Sequence, residues 1–121
     1  IPRLETDLVD ILQKTLDGNL RKEDLIWAEE PCVTVVATSD GYPLKYEKGK
    51  EIHGLENLDE DIILFHNGTK KTEDKIYTNG GRVLSITALG STIEESRKKA
   101  YDNIKRIDFD GMYYRKDIGK I

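Results

Sequence analysis

A glycine turn that opens directly into a long apolar run constrains the fold of this chain more than any other feature. Asn79-Gly80-Gly81 precedes Arg82, and aliphatic and β-branched residues dominate positions 83–89. Adjacent glycines permit positive φ and close approach of another backbone, which is typical of a β-hairpin turn. The run that follows predicts a strand. We therefore expect a hairpin whose second strand begins with an arginine.

Three further segments predict strands around this hairpin. Residues 32–38 form a nearly continuous β-branched run, which is typical of a strand covered on both faces. Residues 61–66 and 76–78 are shorter strands, and the polar residues 70–75 between them predict a loop. Two hairpins in succession make a meander, so we expect antiparallel pairing.

Two segments have the apolar spacing of helices. In residues 3–17 a narrow apolar stripe ends at Gly18; its members are Leu4, Leu8, Ile11, Leu12 and Leu16. A second helix is expected to begin in the capping-box sequence 91–95 and to run to about Arg106. These elements together predict an α+β fold with a small, mostly antiparallel β-barrel or sheet.

Length, charge and cysteine content limit the classes of protein to which this chain could belong. A chain of 121 residues suits one domain, or one domain plus part of another. Its net charge of −4 argues against a general nucleic-acid binder, and no apolar run has the length of a membrane span. Cys32 is the only cysteine, so an internal disulfide is impossible and the cytoplasm is the expected compartment. Ile1 is not preceded by an initiator methionine, which suggests a fragment.

The sequence contains no recognisable catalytic or metal-binding constellation. His53 and His66 have no spacing that implies a nucleophile–base pair, and no acidic cluster completes a zinc site. Cys32 begins an apolar strand and is interpreted as a small apolar filler. Gly80-Gly81 leads into a strand rather than a helix, unlike a phosphate-binding glycine loop. We therefore predict neither catalytic residues nor metal ligands.

The glycine turn nevertheless offers chemistry suited to an anion. A guanidinium beside bare backbone N–H groups is the arrangement that captures phosphate or carboxylate. If the predicted hairpins are neighbours, His66, Thr69 and Lys75 could converge with Arg82 on one small anionic group. The alternative is a plain hairpin turn around which these side chains lie apart in solvent. The residues alone favour this alternative.

Five segments along the chain carry the motifs of a known family. They are IPRLETDLVDIL at 1–12, CVTVVATSDGYPLKYEKGKEIHGL at 32–55, ILFHNGTK at 63–70, YTNGGRVLSITALG at 77–90 and IDFDGMYYRKDIG at 107–119. In this order they resemble the C-terminal part of the phosphoribosylamine–glycine ligases, ATP-grasp enzymes of purine biosynthesis. The GYP–Y–KG, FH–GT and GGRVL–TALG pieces are the most diagnostic.

The resemblance implies a reaction and a domain organisation. Members join glycine to 5-phosphoribosylamine with ATP and Mg²⁺ (or Mn²⁺), and their metal-binding carboxylate lies upstream of the segment that residues 1–12 resemble. This chain alone is then expected to be inactive, with the N-terminal and ATP-grasp domains of the same enzyme as its partners and no nucleic acid or membrane. Residues 1–20 would be the last helix of the ATP-grasp domain. Residues 21–121 would be the C-terminal domain, a barrel-like unit related to that of biotin carboxylase.

The resemblance also implies which residues contact substrate. In related ATP-grasp purine enzymes a lysine and an arginine at the corresponding turn contact the ribonucleotide phosphate, and Lys75 and Arg82 fall at matching positions. His66 and Thr69 belong to the FH–GT motif and either touch substrate or shape the turn. The expected substrate-binding set is Arg82, Lys75, Gly80, Gly81, His66 and Thr69.

Two other functions remain open on the sequence alone. A carrier module that holds biotin or lipoate needs an acylatable lysine at a hairpin tip, where this chain has Asn79-Gly80-Gly81. A non-catalytic interaction domain would bind a partner through the apolar stripe of residues 3–17, and self-association of the isolated chain would favour it.

Overall fold

The computed structural model describes residues 1–120, whose strands form two antiparallel sheets accompanied by two helices. In chain order the elements are α1 (Leu8–Leu16), β1 (Cys32–Thr38), β2 (Ile63–His66), β3 (Thr69–Thr72), β4 (Lys75–Thr78), β5 (Arg82–Leu89) and α2 (Ile93–Ile104). β5 lies between β1 and β2 in the larger sheet, and β3 pairs with β4 in the smaller sheet. The expected α+β class with antiparallel pairing is confirmed.

The core lies between α2 and one face of the larger sheet. The register pairs Val35 with Ile86 and Ala37 with Leu84, so alternate residues of β1 and β5 face the helix. Ala100 and Ile104 of α2 are fully buried against this face. Burial of large aliphatic side chains, at roughly 25 cal/mol per Å² of apolar area, stabilises this layer and holds β5 rigidly.

The prediction that β1 is covered on both faces is wrong. Val33, Val35 and Ala37 are buried, whereas Thr34 is exposed and Val36 is only half-buried. The second face of β1 is covered only in part, because Thr34 and Val36 border an open recess together with Tyr114 and Ile118. The strand covered on both sides is β5, in which residues 83–88 are all buried because it is central.

The predicted meander is also wrong. Asn79-Gly80-Gly81 does not close a hairpin, because β4 and β5 belong to different sheets. The hairpin lies one connection earlier, between β3 and β4, and includes polar residues that we expected to form a loop. Thr69–Thr72 forms a strand because its backbone pairs with β4, from Thr69 opposite Thr78 to Thr72 opposite Lys75.

Capping explains where the helices begin. Asp7 accepts a hydrogen bond from the Val9 N–H at 2.7 Å, so α1 begins at Leu8 rather than near residue 3. Leu4 instead forms an isolated β-bridge with Trp27. At α2 the expected capping sequence does start the helix, with Thr92 accepting from the Glu95 N–H at 3.1 Å. No helix within residues 1–120 has the length and apolar character to cross a membrane.

Candidate anion-binding site

The Gly80–Gly81 turn carries the chain from the smaller sheet into the larger one. Its entry is fixed by the Asn79 N–H, which donates to the Gly68 carbonyl at 2.7 Å. Gly68 in turn donates its N–H to the Val83 carbonyl at 3.0 Å. The two connections between the sheets, at Gly68 and at Gly80–Gly81, therefore lie side by side.

The contact between these two connections requires glycine. A Cβ atom added to Gly68 would lie 2.5 Å from the Arg82 carbonyl oxygen and 2.9 Å from the Gly80 Cα. Both neighbours are backbone atoms and cannot rotate away as a flexible side chain would. The absence of a side chain at position 68 thus allows the backbone of the turn to pack directly on its neighbour.

Both carbonyls of the turn are held by a single residue. Ser39, which follows β1 and is 5% exposed, donates its N–H to the Gly81 carbonyl at 2.8 Å. Its hydroxyl donates to the Gly80 carbonyl at 2.9 Å. Among residues 1–120, neither the Gly80 N–H nor the Gly81 N–H has an acceptor. The turn therefore has satisfied carbonyls and unsatisfied donors, a combination that suits an anion.

Arg82 stands at the start of β5, opposite Thr38, where the register of the sheet shifts. It borders an apolar recess of about 250 Å³, which we call the Arg82 recess; the walls include Val36, Tyr42, Tyr113 and Arg115. Arg115 is bound by Asp117 at 2.6 Å, which raises the pKa of that guanidinium. Within the described residues Arg82 makes no side-chain hydrogen bond or ion pair, so its charge is available to a ligand.

Aromatic side chains cover the turn on one side. A Cβ atom on Gly81 would lie 2.1 Å from a ring carbon of Tyr42 and 3.0 Å from one of Tyr46. The two rings are tilted against each other with centroids 6.2 Å apart. Gly81 is therefore buried beneath Tyr42, and the same ring forms part of the Arg82 recess.

The structure does not gather all of the expected site residues into one cluster. His66 Nδ1 lies 3.0 Å from Thr69 Oγ1, so these two side chains bind each other across the β2–β3 connection. His66 pairs with Leu84 in the sheet, which places it near the turn but outside the Arg82 recess. Lys75 lies at the far end of β4 and binds Glu51 at 2.9 Å, an ion pair that raises the lysine pKa. Gly80, Gly81 and Arg82 are consecutive in the chain and form one turn, and Lys75 does not join them.

Sequence reasoning did not single out Ser39 or Tyr42 as parts of this site. The composition of residues 39–43, Ser-Asp-Gly-Tyr-Pro, indicates only a turn that ends β1. The Ser39 hydroxyl reaches a carbonyl 41 positions away, and no local pattern reveals a contact of that range. The GYP–Y–KG motif, which contains Tyr42, was the available signal.

Other polar residues do not form a second centre. His53 Nδ1 lies 3.8 Å from a Glu51 carboxylate oxygen. Residues 1–120 contain no group of three or more His, Cys, Asp or Glu side chains arranged to hold a metal ion.

Comparison with known proteins shows which family the chain resembles. Residues 32–121 match the family described as "Phosphoribosylglycinamide synthetase, C domain". The chain is 44% identical over 119 residues to the phosphoribosylamine–glycine ligase of Halalkalibacterium halodurans, covering 98% of this chain and 27% of the relative. It is 47% identical to the enzyme of the same name from Caldanaerobacter subterraneus subsp. tengcongensis, covering 98% of this chain and 28% of that relative.

A solved structure agrees with these matches. The crystal structure of phosphoribosylamine–glycine ligase from Thermotoga maritima aligns with a TM-score of 0.71 and 37% identity, over 90% of this chain and 26% of that one. The chain thus spans only about a quarter of the length of the proteins it resembles. The matched segment contains β1–β5, α2, the Gly80–Gly81 turn and Arg82. The chain belongs to the phosphoribosylglycinamide synthetase C-domain family.

Proposed function

We propose that this chain is the C-terminal portion of a cytoplasmic phosphoribosylamine–glycine ligase. The whole enzyme would use ATP to join glycine to 5-phosphoribosylamine, giving glycinamide ribonucleotide for purine biosynthesis. Family membership and the names of the full-length relatives support this assignment. ATP and Mg²⁺ (or Mn²⁺) would bind to parts of the enzyme that lie outside this chain. Its own contribution would be to close one side of the active site.

Within that enzyme, the Gly80–Gly81 turn and Arg82 would bind the phosphate of 5-phosphoribosylamine. The observation that carries this proposal is the pattern of hydrogen bonding at the turn. Both carbonyls are occupied by Ser39, whereas the Gly80 and Gly81 N–H groups and the Arg82 guanidinium have no partner within residues 1–120. Phosphate oxygens are acceptors that bind backbone N–H groups and a guanidinium together.

The remaining expected residues would have secondary parts in this site. His66 and Thr69 bind each other across the β2–β3 connection, which lies beside the turn, and a phosphate approaching from that side would meet the exposed imidazole. Lys75 would have to leave its ion pair with Glu51 before it could contact substrate. We therefore propose Arg82 as the principal charged group and Lys75 as the weakest member of the set.

The domain division would follow the exposed face of α1. Leu12 is 54% exposed and Leu16 is 83% exposed, whereas Ile11 is buried, so residues 1–120 cover the apolar stripe of this helix only in part. We propose that residues 1–20 complete an ATP-grasp domain, which would cover that stripe, and that residues 21–121 form the C-terminal domain. The latter would be barrel-like and related to the C-terminal domain of biotin carboxylase. The bridge from Leu4 to Trp27 would hold the two units together at their junction.

No structural observation favours a carrier module. The β3–β4 hairpin turns at Glu73-Asp74, neither of which carries an amine, and the amine of the adjacent Lys75 is bound by Glu51 at 2.9 Å. The exposed stripe of α1 is accounted for by the proposed preceding domain, so it does not require an independent interaction function.

Replacement of Arg82 in the full-length enzyme tests the proposed phosphate contact. We expect Arg82→Ala to raise the KM for 5-phosphoribosylamine by about tenfold to a hundredfold, since a charge-assisted contact contributes about 1.5–3 kcal/mol. The KM values for ATP and glycine should not change. Arg115→Ala is the matched control, because Arg115 borders the same recess but is bound by Asp117. An unchanged KM for 5-phosphoribosylamine in Arg82→Ala would remove this residue from the site.

A further inference from the structure

Ser39 makes three hydrogen bonds that together determine the shape of the turn. Its N–H and hydroxyl donate to the carbonyls of Gly81 and Gly80, and its own carbonyl accepts from the Tyr42 N–H at 3.2 Å. The Tyr42 ring then covers Gly81. One buried serine therefore connects the end of β1, the Tyr42 loop and the glycine turn.

The bond to the Gly80 carbonyl has a direct consequence for the donor on the other side of the same peptide. A trans peptide is planar, and its C=O and N–H point in opposite directions. Holding the Gly80 carbonyl against Ser39 therefore directs the Gly81 N–H away from Ser39. The same relation holds for the Gly81 carbonyl and the Arg82 N–H.

Two consecutive glycines cannot maintain that orientation by themselves. Glycine populates φ on both sides of zero at little cost, so a Gly-Gly peptide is able to flip its carbonyl and its N–H. The Gly81 N–H has no acceptor within residues 1–120 that would hold it from the donor side. The orientation is thus fixed from the carbonyl side, by Ser39.

We propose that Ser39 is a positioning residue for substrate binding. It would hold the Gly80–Gly81 peptide so that its N–H points towards the phosphate, and it would fix the backbone from which Arg82 projects. This inference rests on the proposed phosphate role of Arg82. Ser39 itself does not contact the substrate, because its hydroxyl and its N–H are both engaged by the turn.

Kinetics of the full-length enzyme test this role. We expect Ser39→Ala to raise the KM for 5-phosphoribosylamine about fivefold to tenfold, the effect of one lost hydrogen bond, with kcat and the KM values for ATP and glycine unchanged. Ser96→Ala is the matched control: Ser96 is also buried, and its hydroxyl donates to the Pro31 carbonyl at 3.0 Å, a contact outside the turn. That control should leave every kinetic constant unchanged. An equal rise of the KM for 5-phosphoribosylamine in both variants would show that Ser39 has only a general structural role.

A second variant and a double-mutant cycle separate the possible failures. Ser39→Cys replaces the hydroxyl with a somewhat larger group that is a weaker donor, and it should raise the same KM by a smaller factor, even if Ser39→Ala does not fold. In an Arg82→Ala background, Ser39→Ala should raise this KM by a smaller factor than in the otherwise unmodified enzyme, because the part of its effect that acts through Arg82 is already lost while the part that acts through the Gly81 N–H remains. Full additivity would contradict the inference. If Arg82→Ala has no effect, the phosphate site is wrong; if Arg82→Ala acts while both Ser39 variants do not, only the role of Ser39 is wrong.

Discussion

Two residues from elsewhere in the chain shape the Gly80–Gly81 turn: Gly68 lets its backbone pack closely, and Ser39 binds both of its carbonyls. The hydrogen-bond donors of Arg82 and of the two glycines before it could be recognised in the sequence, because they follow from residue type alone. The need for glycine at position 68 was not visible, since it arises from a backbone that arrives from another strand. Ser39 was likewise hidden, because a serine after a strand is ordinary turn chemistry until its partner is known.

Gly68→Ala tests the close approach of the two connections. The added Cβ would meet backbone at 2.5 and 2.9 Å, so we expect a loss of about 2–3 kcal/mol in the free energy of unfolding, as for overpacking. Gly18→Ala is the control: its φ of +69° is unfavourable, but the Cβ would enter open space. Its expected cost is about 1 kcal/mol. Urea unfolding of both variants measures the two free energies of unfolding. A loss for Gly68→Ala no greater than that for Gly18→Ala would contradict the packing described.

Whole elements were predictable where the apolar pattern is strong. β1 was located to the residue, and β5 and α2 to within one or two residues, because their side chains supply the core and must follow its periodicity. β3 was missed because its residues are polar and its stability comes from pairing with β4, which composition cannot report. For the same reason the sequence predicted a hairpin at Asn79-Gly80-Gly81, where the chain in fact crosses from one sheet to the other.

The end of α2 is joined to the segment before β2 by an ion pair with a pH-dependent strength. Arg106 donates to Asp59 at 2.7 Å and Asn103 donates to it at 3.0 Å, and these bonds lower the pKa of the Asp59 carboxyl. Because the folded-state pKa lies below the unfolded value of about 4, the contribution is complete above that pH. It is lost as the pH falls through the folded-state pKa.

We therefore expect Asp59→Asn to be less stable than the unmodified chain at pH 7, with a difference that narrows towards pH 3. Urea unfolding at the two pH values measures this difference. Glu60→Gln removes a neighbouring exposed carboxylate that makes no ion pair within residues 1–120 and should leave stability unchanged at both. A difference for Asp59→Asn that is the same at pH 7 and pH 3 would show that the ion pair does not stabilise the fold.

On the proposed function, the whole of residues 1–120 would form one side of an active site whose remaining parts lie outside this chain. The family could be inferred from the order of five motifs, which depends on the entire chain rather than on any one segment. The surroundings of the proposed anion site could not be inferred from the sequence, because they depend on how the two sheets lie against each other. The exposed part of the α1 stripe would be explained by a further domain that packs on it, and the unpaired donors of the turn by a bound phosphate.

The most direct test is a crystal structure of the full-length enzyme with ribose 5-phosphate bound, since this ligand carries the phosphate of the proposed substrate. We expect phosphate oxygens at about 3 Å from both the Gly81 N–H and the Arg82 guanidinium, with Ser39 still bound to the Gly80 carbonyl. A phosphate held by other residues, with the Arg82 side chain in solvent, would contradict the central claim.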